Sequence, residues 1–268
     1  MKARLLVSCC ALLPQIAVAG PYAPAAGIAG TTAVDPTAIV GWASGYQDLI
    51  RGPVDISNPA GGSATFGTGN DALGPADAQA DSLPVVSLGD GGSITLTFLK
   101  PIRNGAGADF AVFENGITDD FLELAFVEVS SNGTTFYRFP SVSLTPTATQ
   151  VGPFDQVIDP TNLNNLAGKY RRGFGTPFDL AELTGRPGLD VNNVTHVRIT
   201  DVVGSINPLY GSVDSLGNII NDPWATAFGT GGFDLDAVGV LNFAPLPEPS
   251  SILLLASAAL CAAARRRR

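Results

Sequence analysis

Cysteine is almost missing from this 268-residue chain, and its three copies stand at the two ends, as Cys9, Cys10 and Cys261. The stretch between them therefore has no disulfide, no zinc–thiolate site and no cysteine nucleophile. Histidine is scarcer still. His196 stands alone, which excludes a histidine-rich zinc centre and leaves one candidate base for any Ser-His-Asp triad. No Gly-x-Ser-x-Gly elbow occurs, and His196 falls on the outward phase of an alternating strand pattern, so such a triad lacks both partners and geometry. Basic residues are also few, 15 against 24 acidic ones.

Long apolar runs are confined to the ends. At the front, Lys2 and Arg4 precede the mostly apolar Leu5–Val18, and Ala17-Val18-Ala19 forms a small-x-small site. That layout predicts a secretory signal peptide cleaved between Ala19 and Gly20. At the back, Ile252–Ala264 is an apolar run of 13 residues. As a helix it spans about 20 Å against a hydrocarbon core of about 30 Å, a marginal crossing. Arg265, Arg266, Arg267 and Arg268 follow it; their guanidinium groups can snorkel to headgroups and hold that end in the cytoplasm. Pro247-Glu248-Pro249 would then lie just outside the membrane, kept extended by a proline on each side.

These three parts, in this order, resemble the PEP-CTERM sorting signal. The resemblance implies processing by an exosortase in a Gram-negative bacterium that makes extracellular polysaccharide. It implies transient anchoring in the inner membrane through the tail, then placement on the cell surface or in the extracellular matrix. The alternative is an ordinary C-terminal anchor.

The expected organisation is a signal peptide over 1–19, a flexible lead-in over 20–37, one domain over 38–244 and the sorting signal over 245–268. The formal net charge of −9 understates the acidity of the exported part. Six basic residues and one acidic residue leave with the ends, so nine basic face 23 acidic, a net of −14. Such a domain repels nucleic acid and anionic lipid and attracts divalent cations.

Within the domain, 31 glycines and 20 prolines over the whole chain and few helical periodicities point to many strands joined by tight turns. Ser93–Phe98 and Val194–Val202 alternate, placing Ile94, Leu96, Val197 and Ile199 inward. Asp109–Glu114 is a strand ended by Asn115-Gly116, and Phe233–Leu241 is the last one. Leu122–Ser130 is apolar on both phases, as in a strand covered on both sides, and turns at Ser131-Asn132-Gly133 into Thr134–Phe139. Pro160–Lys169, capped by Asp159, reads as a short helix, and Phe178–Leu183 as another helical turn. Gly52–Gly92 reads as a long loop of the kind that holds a binding or metal region. The fold class is all-β, an antiparallel β-sandwich with short helical insertions. The stretch Ala72–Phe136 resembles galactose-binding-like jelly-roll domains of bacterial surface proteins, a likeness in structural turns that implies a fold and no activity.

Two carboxylates about 5 to 9.5 Å apart would be needed for glycoside hydrolysis. Asp109 with Glu114, or Glu123 with Glu128, are five apart within single strands and point to opposite faces. Calcium is the better chemical expectation. Asp214, Asn218 and Asp222 crowd one glycine-containing loop, and Asp234 and Asp236 lie two apart on the last strand, giving five oxygen donors for Ca²⁺. Asx turns, in which these side chains cap their own backbone, are the alternative. The expected function is a non-catalytic, exosortase-sorted surface or matrix protein that binds or structures polysaccharide; a secreted polysaccharide hydrolase on the same fold is the second reading. An open surface carrying Trp42 or Trp224 would favour binding, and a cleft joining two carboxylates would favour the enzyme.

Overall fold

The computed structural model describes residues 19–79 and 82–245. Their twelve strands pair antiparallel, mainly in two five-stranded sheets. One sheet has the order β1 (Gly41–Trp42), β12 (Asp234–Val240), β5 (Phe110–Glu114) and β10 (Thr176–Phe178), with β3 (Val86–Ser87) also on β12. The other has β2 (Gly45–Ile50), β4 (Ser93–Ile102), β11 (Val194–Asp201), β6 (Ala125–Ser130) and β7 (Tyr137–Arg138). A two-stranded ribbon, β8 (Val142–Ser143) with β9 (Leu163–Asn164), stands apart.

The sheets face each other across one core. Phe110, Val112, Phe178, Leu235 and Val238 come from the first, and Ile94, Leu96, Val127, Val129, Val197 and Ile199 from the second. This is the inward phase expected of alternating strands, and His196, Arg198 and Thr200 take the outward one. The double-sided apolarity of Leu122–Ser130 also has its cause here. Ala125, Val127 and Val129 enter the main core, while Leu122, Leu124 and Phe126 build a satellite core with Val151, Ile158 and Leu166.

Some elements differ from expectation. Pro160–Lys169 is one 3-10 turn (Pro160–Asn162) followed by β9, not a helix of that length. Asp159 does cap it, accepting from Thr161 N at 2.8 Å. The helix cannot continue because Asn165 (φ 49°) and Gly168 (φ 81°) are left-handed. Phe178–Leu183 divides between the end of β10 and a 3-10 turn at Leu180–Leu183. The lead-in expected to be flexible is tied down: Tyr22 N donates to Thr161 O (3.0 Å), and Val34 and Gly175 exchange backbone bonds of 2.9 and 2.8 Å. Val34 then covers the outer face of β5 with Ala111 and Phe113. Residues 1–18 and 246–268, which carry most of the signal peptide, Pro247-Glu248-Pro249, the apolar run and Arg265–Arg268, lie outside the described residues.

Candidate functional site

At one end of the sandwich the turn after β5, the segment entering β6 and the start of β12 meet around a cleft of about 450 Å³. Glu123 and Asp234 both line it, with Asn115, Arg172 and Thr230. Its apolar rim consists of Leu83, Ile117, Phe154 and Phe228, all exposed. Phe154 is 73% exposed and stacks on Phe228 with centroids 5.6 Å apart and planes at 9°. Phe154, at least, is poorly explained as packing, because most of its ring stays in water even with Phe228 stacked against it.

The backbone holds the acids in place. Asp222 accepts from Leu124 N (2.8 Å), fixing the residue beside Glu123. Asp201 accepts from Phe233 N (2.6 Å), fixing the residue beside Asp234. Asp234 accepts from the Ser87 hydroxyl and from Asn115 Nδ2 (3.0 Å). Glu114 accepts from Gly116 N at 2.7 Å, and its other oxygen has no partner in the protein.

Electrostatically the group is unusual. Burial pushes Glu123 and Glu114 well above the usual carboxylate range, and the charge of Asp234 adds to the effect on both. Burial raises Asp234 to about 6, against the pull of its Ser87 and Asn115 bonds and of the Arg51 charge. Asp201 and Asp222 are likewise raised, first by burial. Burial thus favours the protonated form of Glu123, a hydrogen-bond donor, in the cleft whose lining it shares with Asp234.

The five residues expected to hold calcium do not form one ligand set. Asp214 accepts from Leu216 N, Asn218 N and Asn218 Nδ2 within its loop and from Ser143 N outside it, which is Asx-turn chemistry. Asp222 faces Leu124, Asp234 the cleft, and Asp236 the amides of Asp77 and Ala78 (3.2 and 3.4 Å). Among the described residues no three acidic, histidine or cysteine side chains converge to hold a metal ion. Of the other candidates, Asp109 is consumed by Gly105 N, Leu180 N and Asn242 Nδ2, and Glu128 by Arg138 and Arg198. His196 pairs with the neighbouring Thr195 hydroxyl (2.7 Å). The tryptophans form no open platform. Trp42 packs on Phe113 (5.3 Å), and Trp224 Nε1 donates to Asp90 (3.1 Å). Phe154, Phe228 and Arg172 were not singled out from sequence; Phe154, flanked by Gly152-Pro153 and Asp155-Gln156, was the one with a local signal, an aromatic in a turn-rich stretch.

The fold defines a sandwich-like, antiparallel all-β domain with an acidic, aromatic-rimmed cleft. Residues 245–268 match the model of the PEP-CTERM protein-sorting motif, which marks this as an exported, exosortase-sorted protein with a transient membrane-anchored state. No curated protein matches the chain.

Proposed function

We propose that the exported domain is a non-catalytic cell-surface or matrix protein of a Gram-negative bacterium, binding extracellular polysaccharide in the Glu123–Asp234 cleft. The observation that carries this reading is the exposed Phe154–Phe228 stack on the rim of a cleft that also holds Asn115, Arg172, Glu123 and Asp234. Aromatic faces take the C–H surface of a sugar, and the few polar groups fix its hydroxyls. Two facing antiparallel sheets and the turn pattern of Ala72–Phe136 support a galactose-binding-like jelly roll as the finer fold.

A hydrolase on the same cleft is the second reading, favoured by one observation: a raised Glu123 beside a second carboxyl is the acid half of a glycosidase pair. Against it, each Asp234 oxygen already accepts a bond, from Ser87 or Asn115, which leaves it poorly placed as nucleophile or base. A glycan array on the purified domain, followed by a reducing-end assay on every glycan bound, tests both. Retention without new reducing ends supports binding; release of reducing ends that stops with Glu123→Gln supports the enzyme, and no retained glycan refutes both.

A further inference from the structure

A second cavity, of about 380 Å³, lies away from the cleft between β9, β10 and the lead-in, and Lys169 lines it. Lys169 is only 5% exposed. Its ammonium donates to Leu163 O at 2.8 Å, and no carboxylate lies within ion-pair distance among the described residues. The Tyr170 ring, its centroid 5.5 Å from the ammonium, and the more distant charge of Asp159 offset part of the cost of burial, but two of the three N–H groups still have no hydrogen-bond acceptor in the protein. A second buried group in the same wall is also incomplete: the Thr176 hydroxyl, on a residue 3% exposed, has no partner.

The mouth has the opposite character. Asp179, half-buried, and Glu182, exposed, line the cavity on its solvent side, and Glu182 accepts from Asn165 Nδ2 at 2.6 Å. A ligand must bring an anionic oxygen to the interior and hydrogen-bond donors to the mouth. A dianion such as phosphate would meet the two acids, and a neutral sugar would leave Lys169 without an anionic partner. We propose that this cavity binds a small monocarboxylate rich in hydroxyl groups, the chemistry of a uronic acid. Its carboxylate pairs with Lys169 and Thr176, and its hydroxyls donate to Asp179 and Glu182. The site is independent of the Glu123–Asp234 cleft.

The test titrates D-glucuronate into the full chain, purified in a detergent without a sugar headgroup, with D-glucose and acetate as controls. Glucuronate should bind at least about tenfold more tightly than either control, since each lacks one half of the recognition. Lys169→Met should lose about tenfold or more and Thr176→Val less, because a charged hydrogen bond outweighs a neutral one. In the parent protein, glucuronate should protect Lys169 from an amine-acylating reagent, read by mass spectrometry, while glucose should not. That readout needs no variant to fold. Equal binding of glucose and glucuronate, Lys169 acylation unaffected by glucuronate, or no saturable binding below about 10 mM would overturn the proposal.

Discussion

Acidifying the exported domain from about pH 8 to about pH 5 should stabilise it, contrary to the common pattern in which ion-paired carboxylates make acid destabilising. The acids responsible are Glu114, Glu123, Asp201, Asp222, Asp234 and Asp236, all raised first by burial. Each binds its proton more tightly folded than unfolded. The stability it contributes is therefore complete below its unfolded value and lost as pH rises through its folded value. For Asp234 and Asp236 the window runs from 3.8 to about 6. Each such displacement is worth about 3 kcal/mol in full, of which the pH unit from about 6 down to 5 recovers about 1.4 kcal/mol per acid. That share corresponds to about 3–6 °C in melting temperature for a domain of this size. Asp214, whose own hydrogen bonds hold it below the usual range, works in the opposite sense and matters only at more acid pH. Urea melts of residues 20–245 at several pH values across this window give the slope directly, and Asp236→Asn should flatten it. A stability that is level, or that falls toward pH 5, would refute the reasoning.

Replacing Pro247-Glu248-Pro249 with alanines should leave export intact while an unprocessed, membrane-bound form accumulates, seen by fractionation and immunoblot. Normal release of that variant would remove the sorting role of the tripeptide. Because Asp214 spends its oxygens on backbone and amide donors, millimolar calcium should leave the melt unchanged and Asp214→Ala should cost about 1–2 kcal/mol with or without it. A calcium-dependent rise that Asp214→Ala abolishes would restore the loop as a cation site. Gly20→Ala should destabilise by about 1–3 kcal/mol in chemical denaturation, since its Cβ would lie 2.2 Å from Thr161 O. An unchanged midpoint would mean that the lead-in does not dock as described.

The sandwich was legible where burial is one-sided or plainly two-sided. Ile94 and Leu96, Val197 and Ile199, and the doubly apolar Leu122–Ser130 each announce which face meets the core. The Asp159 cap was legible too, because it acts on an amide two residues away; the equivalent cap by Asp179 emerges only from the structure. Element length was not. Asn165 is a residue type that tolerates the left-handed conformation, but what holds it there is its side chain tying Pro140 O to Glu182, a long-range demand the local sequence does not show. The separation of the two acids of the last strand has a related cause. Strand phase puts Asp234 and Asp236 on one side, but the pairing with β5 shifts between Leu235 and Ala237, which frees the two acids to serve different partners. The cleft itself joins the turn after β5, the entrance to β6, four further loop segments and β12, so its membership is set by topology rather than by spacing.

The polysaccharide reading stands most directly on the aromatic rim, and Phe154 offers a clean perturbation because it is largely exposed and outside both cores. The decisive measurement is the affinity of residues 20–245 for the host's own extracellular polysaccharide, by affinity electrophoresis, with Phe154→Ala and Phe228→Ala alongside. Saturable retention that weakens by about tenfold in each variant, through lost aromatic contact area at an unchanged melting temperature, is the predicted result. Retention that is absent in the parent, or identical in the variants, would contradict it.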